Sequence, residues 1–545
     1  MSAFHNNMLL GSAKTADLGD PIEQSLRFVG TEYLTGSAPR PTGDFTYSLW
    51  FKPAPTTFSL PQTFLSFGTS NYGYKYSQPA AGQPNCIATQ LGSGFNYLTT
   101  AALRDPSAWY HLVFKNVSNQ TTLFINGVNQ GTTAATPQET NDLVIGSNIT
   151  GGNDDPLLGY IAEVYMVGTA YDADTFGRFN ADGVWVPKTP TIASYGTQGF
   201  HLTLDPTQSN GIGHDSSGQG NHCTATGFDV TSGDSSYDVM VDSPTNNFST
   251  MNPLDPFSDT LSDANLALSV ATSQHAAPGT MALVENKYYI ELTCDNPPTL
   301  SPNRQYALFL VPTSGITNAN PVLSSGAYEI KVFNNTTFGV YTSNSAVLTG
   351  TLPSTPAAGF VIQVLYNADT RQLYACVDNT NWLRNNGSIA STFDAAQPTL
   401  VLAAPTSGHY TAGVTNYNGT GNINYGQQPY LHTPPTGFEA LSTTNMPSAA
   451  LSNTITGTFT GNNSADGPFV YTGCLPARIQ YGTIDIKFQN RLSQSNVDFL
   501  SNGFKVRSTT SNNGSVSYTV TTTHDGGEYV GYQIPFNAPA TAQTN

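Results

Sequence analysis

Charge is scarce in this chain. Of its 545 residues only 10% are charged, 19 Lys and Arg against 36 Asp and Glu, for a net charge of −17; an average soluble domain carries about 25%. Cations this few and this scattered cannot neutralise a run of phosphates, which excludes nucleic-acid binding through the backbone and anchoring by a polybasic segment. Long apolar runs are missing as well. The longest, FVIQVLY at 360–366, is far short of the ~18 residues of a membrane helix and reads as a strand, so no membrane insertion is expected. The opening MSAFHNNMLLGSAKTADLGDP has no basic segment and only Met8, Leu9 and Leu10 as an apolar run, so it does not read as a signal peptide. Cysteine is sparse and odd in number. Cys86, Cys223, Cys294, Cys376 and Cys474 include no CxxC pair, the nearest two being 71 residues apart, and they read as reduced residues of a chain made inside a cell.

What is present is turn chemistry and alternation. Gly (50) and Pro (35) are abundant, Ser, Thr, Asn and Gln fill the rest, and 38% hydrophobic with 11% aromatic residues is too apolar for wholesale disorder. From about Ser25 onward, apolar residues alternate over four to eight positions between Gly, Asn, Pro and Asp clusters, the signature of half-buried strands. Phe45, Tyr47, Leu49 and Phe51 share one face of a strand; Thr46, Ser48 and Trp50 take the other. Asn126-Gly127 inside TTLFINGVNQG suits a tight hairpin turn with φ > 0. In FVIQVLYNADTRQLYACV, alternation at Phe360, Ile362, Val364 and Tyr366 resumes at Leu373, Ala375 and Val377 beyond a turn at 367–370, a hairpin with one buried face. Helical periodicity is nearly absent, with one short turn near 172–179. The expected fold class is all-β, antiparallel sandwich (jelly-roll) domains in series with very little helix. The expected divisions are an amino-terminal arm (1–24), a first jelly roll (25–205), an irregular connector (206–260), a second sandwich (261–446) and a carboxy-terminal β domain (447–545).

Several segments carry a resemblance. SLRFVGTEYLTG, FTYSLWFKP, WYHLVFKN, TTLFINGVNQG and LGYIAEVYMVGTAYDADTF occur in the order seen in concanavalin A-like (laminin G-like) jelly rolls, over about residues 25–205. KYYIEL and the GFVIQVLYNADTRQLYACVDNTNW hairpin make the second block similar to a SPRY domain. The segments joining them, HDSSGQGNHCTATGF (214–228), DSPTNNFSTMNPLD (242–255) and INYGQQPYLHTPPTGFEALSTTNMP (423–447), resemble joints of structural proteins of tailed bacteriophages, marine ones especially. The resemblance implies a virion component assembled in the host cytoplasm, of the tail-fibre type. It further implies a homotrimer, docked to other virion proteins by its arm and meeting host-surface carbohydrate. A capsid-bound decoration protein without a receptor role is the alternative, and a polysaccharide depolymerase a more distant one.

Chemistry is sparse along the chain. A glycan hydrolase needs two carboxylates flanking the scissile bond, yet no strand of the first block carries Glu-x-Asp or Glu-x-x-x-Glu; Glu163 stands by itself in IAEVY. No HExxH, His/Cys cluster or GxSxG occurs, so no catalytic residue and no enzyme activity is expected. His111 in WYHLVF reads as a packed sandwich histidine, and His214 and His222 bracket a Gly-rich stretch. No cofactor is expected; Asp154 and Asp155 in GGNDDP are the candidate calcium ligands, against a solvated turn as the plainer reading. Sugars are held by aromatic platforms beside polar groups, which makes Tyr72, Tyr74 and Tyr76 of YGYKY and Trp382 beside Asn381 the candidate ligand residues, against core packing. The negative excess also means that contact with an acidic envelope would need shaped sites rather than charge attraction.

Overall fold

The computed structural model describes residues 17–446, save 37, 39, 55–60, 68–71, 78–85, 92–93, 98–102, 104, 134–142, 149–154, 181–182, 232–234, 254–260, 299–303, 314–321, 323, 334 and 406–407, and beyond 446 the backbone of seven strands. One compact unit is built from residues 17–231 with 236–247, and a second from residue 248 onward. All named strand ladders are antiparallel, and no α-helix occurs among the described residues, so the all-β expectation holds. The expected turn near 172–179 is a single 3-10 turn, Ala173–Thr175.

The first unit is a two-sheet sandwich. Its eight-stranded sheet runs in the order Val128–Thr133, Gln120–Ile125, Tyr110–Val117, Phe45–Pro53, Leu158–Val167, Ser25–Val29, Val239–Met240, with Phe200–Leu202 added on Leu158–Val167. The seven-stranded sheet runs Cys223–Thr226, Tyr33–Gly36, Leu143–Ile145, Gln62–Phe67, Tyr72–Ser77, Cys86–Leu91, Gly94–Tyr97. Alternation works as the sequence suggests: Tyr47 and Phe51 project from the first sheet onto Tyr74 and Phe64 of the second, with ring centroids 6.0 and 4.8 Å apart. Pairs in these geometries contribute about 0.5–1.5 kcal/mol beyond the area they bury. Asn126 and Gly127, at φ 49° and 79°, make the expected hairpin turn.

The opposite face of Phe45–Pro53 is buried too, which alternation did not foretell. Trp50 stacks on His111 (4.6 Å), whose other side carries Trp185 (6.0 Å). Trp185 fits because Gly127 and Gly177 have no side chain: a Cβ on either would lie 2.3 or 2.5 Å from the indole ring. The Trp185 indole N–H donates to His111 Nδ1 (3.1 Å), and Ser48 Oγ lies 2.9 Å from Nε2, which fixes the neutral imidazole with its proton on Nε2. Further along the same face, Lys52 and Asp242, both wholly buried, pair at 2.7 Å. Asp242 also accepts the Trp109 indole N–H (2.9 Å), and Asn247 Oδ1 accepts from the Lys52 ammonium (2.8 Å).

Two expectations about the flanking segments are corrected here. The stretch 206–260 is not a separate irregular connector: Cys223–Thr226 and Val239–Met240 are sheet strands of the first unit, and Asp242 is its buried anion. Arg27, also buried, binds Asp238 (3.0 Å), whose carboxyl burial pushes up to about 6 against the pull of Arg27. Of the amino-terminal arm, residues 1–16 lie outside the described residues; Asp17 takes both terminal nitrogens of Arg178 (2.7 and 2.9 Å) within the same unit, so residues 17–24 are part of this sandwich.

In the second unit one long strand, Tyr410–Asn424, pairs through residues 410–417 with Gln305–Pro312 and through 421–424 with Lys287–Cys294. Asn418, at φ 57°, stands between the two pairings. On the first flank follow Tyr328–Phe333, Thr337–Thr342 and Ser345–Thr351; on the second, Val361–Asn367, Gln372–Val377 and Asn381–Leu383. The expected alternating set Phe360, Ile362, Val364, Tyr366, Leu373, Ala375 and Val377 lies in one core cluster with Leu308, Ile330 and Val332 from the other flank. The reverse face of that hairpin is buried as well, in a second cluster of Tyr289, Leu365, Tyr374, Cys376 and Trp382. The 423–447 segment is stapled beneath it: Glu291 accepts the Tyr289 hydroxyl (2.7 Å) and the backbone N–H groups of Leu431 and His432 (both 2.9 Å). Beyond 446, Thr454–Thr460, Ser515–Thr521, Arg478–Tyr481 and Ile484–Lys487 form one sheet, and Phe469–Tyr471, Gly503–Val506 and Val497–Leu500 another. Cys86, Cys223, Cys294 and Cys376 are buried free thiols, and Cys474 lies outside the described residues.

Asp242→Ala would leave the Lys52 ammonium buried without its anion, and the first unit should lose about 3–5 kcal/mol in urea denaturation. His111 is a pH test of the same face. Burial holds its imidazole down to about 3, so between pH 6.5 and 3 the unfolded chain takes up a proton that the folded chain refuses. Stability from this group is complete above pH 6.5 and falls by about 1.4 kcal/mol per pH unit of acidification across that window. The His111→Gln variant should lack that increment in slope, read as the difference between the two pH profiles.

Candidate functional site

The predicted ligand residues are placed mostly inside. Tyr74 is wholly buried, stacked on Phe114 at 4.1 Å, with its hydroxyl donating to Asn116 Oδ1 (2.9 Å); Tyr76 is 1% exposed and donates to the Leu103 carbonyl (2.7 Å). Both face the other sheet, so the expected tyrosine platform is corrected to a core stripe, and of the three Tyr72 is half-buried at the strand's start. Trp382 is corrected likewise: it is 2% exposed, packs edge-to-face on Phe393 (5.1 Å) and donates its indole N–H to the Asn379 carbonyl (3.2 Å). Alternation finds a shared face but cannot say whether that face is wet. Of the calcium candidates, Asp154 lies outside the described residues, and Asp155 is paired with the Lys75 ammonium (3.2 Å).

A different constellation forms on the closing strand Leu158–Val167. Its register against Phe45–Pro53 slips between Ala162 and Tyr165, and the bulged residue Glu163 sits at φ 48°. Such a conformation costs a non-glycine residue of order 1 kcal/mol and clusters at functional sites. The bulge turns Glu163 toward His201 of Phe200–Leu202; Oε2 and Nε2 are 2.6 Å apart, and both side chains remain reachable by solvent at 16% and 18% exposure. Tyr165 lies flat on the imidazole, 4.1 Å between centroids and 9° between planes. Burial first, then the Glu163 carboxylate, push its hydroxyl far up. Burial, then Asp215 and Glu163, push the half-buried Tyr195 up to about 12.

The HDSSGQGNHC loop supports this group from behind. Asp215 accepts the backbone N–H groups of His201, Ser217 and Asn221 (all 2.9 Å), and its own N–H donates to His222 Nδ1 (2.9 Å). His214 stacks on His222 at 4.9 Å. The patch therefore offers a partly exposed carboxylate and imidazole backed by the buried Tyr165 ring, groups able to accept and donate hydrogen bonds to a hydroxyl-rich ligand. Glu163 was visible in the sequence as an isolated acid; His201 and Tyr195 carried no signal, because each lies more than 30 residues away in the chain.

The second unit carries an open cleft of about 510 Å³ lined by Glu285, Asn286, Asp369, Glu439 and Asn445. Turns supply two of the acids: Glu285 and Asn286, at φ 44° and 64°, link Ala267–Leu283 to Lys287–Cys294, and Asp369 lies in the hairpin turn between Val361–Asn367 and Gln372–Val377; Asn286 Nδ2 donates to Glu439 Oε2 (3.1 Å) and to the Asn445 carbonyl (2.9 Å). All three carboxylates bear on Tyr288, whose hydroxyl is driven up by burial and then by Glu285, Glu439 and Asp369. Among the described residues the lining of the cleft is acceptor-rich and includes no aromatic ring.

With this geometry in place, comparison with known proteins is informative about the first unit. Residues 30–175 match the family model of the concanavalin A-like lectin/glucanases superfamily. The unit has the concanavalin A-like, laminin G type of jelly roll, a lectin-like fold. No curated protein matches the sequence. Among solved structures, a protein described as carbohydrate binding from Bacteroides ovatus is 20% identical over 38% of this chain and 58% of its own, with a TM-score of 0.29. The enzymatically active domain of tailspike protein 2 from bacteriophage CBA120 is 16% identical over 28% of this chain and 26% of its own (TM-score 0.23). The SPRY domain of human HERC1 is 10% identical over 28% of this chain and 83% of its own (TM-score 0.19). The chain thus spans little more than half of the first of these structures and about a quarter of the second.

Glu163→Ala removes the partner of His201 at the bulge. The amides of Phe200–Leu202 should then exchange about tenfold faster in hydrogen-exchange mass spectrometry, with Ser25–Val29 unchanged.

Proposed function

We propose that this chain is a structural and adhesion component of a phage virion, of the tail-fibre kind, whose lectin-like first unit holds host-surface glycan without cleaving it. The observation that carries the reading is the lectin-family match at residues 30–175, followed in the chain by a second β unit and by the joint segments that resemble phage structural proteins. The chemistry of the closing strand supports binding over hydrolysis: the carboxylate that a glycanase would pair with a second acid is here paired with an imidazole. The negative excess favours recognition through hydroxyl contacts at a shaped surface, such as the Glu163–His201 patch. The chain acts as a homotrimer docked to other virion proteins, and it resides in the virion after assembly in the host cytoplasm.

The purified full chain, applied to capsular and lipopolysaccharide glycans from the host, should bind by biolayer interferometry and release no reducing ends. Turnover abolished by Glu163→Gln would overturn the non-catalytic reading, and absence of binding to every surface glycan would overturn the adhesion reading. Immunogold label should fall on tails; label on capsid faces with none on tails would replace the fibre by a capsid decoration.

A further inference from the structure

Asn148 and Asp155 come together in the first unit, and the neck between them is closed around a cation. Lys75 belongs to the central strand Tyr72–Ser77, on the face opposite the tyrosine stripe, and is wholly buried. Its ammonium lies 2.7 Å from Thr63 Oγ1, 2.7 Å from Asn148 Oδ1 and 3.2 Å from Asp155 Oδ2. Backbone bonds hold the same neck: the Thr63 N–H donates to the Asp155 carbonyl (3.0 Å), Ser66 Oγ donates to the Ser147 carbonyl (2.9 Å), and the Leu157 N–H donates to the Gly146 carbonyl (2.9 Å). Asp155 is at φ 53°, a left-handed conformation that its side-chain bond to the ammonium helps to hold.

Hydroxyl, amide and carboxylate oxygens converging on one point are the donor set of a hard metal ion, and here an ammonium occupies that point. We propose that Lys75 is a tethered cation that replaces a metal at this loop neck, so that the first unit orders residues 148 and 155 without calcium, and that removing the ammonium turns the neck into a receptor for a small external cation. An ammonium offers three donors, matched by three side-chain oxygens of the described residues. Calcium would require the same Asp155 carboxylate and six to eight oxygens, and could bind only by displacing the buried ammonium. The charge-poor composition makes the investment notable: the chain has 19 Lys and Arg in all, and this one is buried out of solvent.

The test uses the full chain and differential scanning fluorimetry. Wild-type melting of the first unit should be the same in millimolar calcium as in EDTA. Lys75→Ala, which leaves Asn148 and Asp155 facing a cavity, should melt about 10 °C lower and should recover part of that loss in ethylammonium or calcium but not in tetramethylammonium, which is too large and has no N–H donor. Should Lys75→Ala not fold, Asp155→Asn, which keeps the oxygen and removes the charge, should melt lower than wild type with no response to calcium or EDTA. A wild-type melting temperature that rises with calcium, or a Lys75→Ala protein as stable as wild type, would overturn the proposal.

Discussion

The Lys52–Asp242 pair is the constraint around which the first unit is arranged. Two unit charges removed from water cost several kcal/mol each and are tolerated only when geometry and hydrogen bonding are complete. Both residues here are inaccessible, so Trp109, Asn247 and the returning chain segment at 242–247 all have to be in place for Phe45–Pro53 to sit at the centre of its sheet. The strand order follows from this: Ser25–Val29, which donates its Ser25 hydroxyl to the Asp242 carbonyl (2.6 Å), lies between Leu158–Val167 and Val239–Met240. A sandwich with a solvated outer face would need none of these parts.

Scarcity of charge takes on another meaning in this light. Arg27, Lys52, Lys75 and Lys331 are all buried or nearly so, each beside a carboxylate. Four of the chain's 19 cations thus serve inside, of which Arg27 and Lys52 fix the returning segment at 238–242, and the surface is correspondingly poor in cations. A surface of that kind suits recognition of sugars, whose own exterior is hydroxyls, better than recognition of phosphates.

Alternation at Phe45–Phe51 and at Phe360–Val377 located strands and their inward faces, because pleating imposes a period of two whatever the fold. It cannot tell a solvated face from a covered one: Tyr74 is covered by Phe114, Tyr76 by Phe51 and Trp382 by Phe393, and local alternation does not encode that packing. Lys75 shows the same blindness in reverse, a residue type almost always exposed that lies wholly inside. Glu163 was legible as an acid without a second acid on its strand; its bulge and its imidazole partner depend on cross-strand register, which single-sequence patterns do not encode.

The return of residues 236–247 to the first sheet also bears on how the chain is born. Ser25 and Asp242 touch across 217 positions, and loop closure over such a span precedes any reward from the contacts it brings. During synthesis the first sandwich therefore stays incomplete, with Lys52 lacking its counter-charge, until residue 242 has left the ribosome. A fragment ended at residue 205, where the strand pattern first pauses, would sever the unit from Cys223–Thr226, Val239–Met240 and its buried anion.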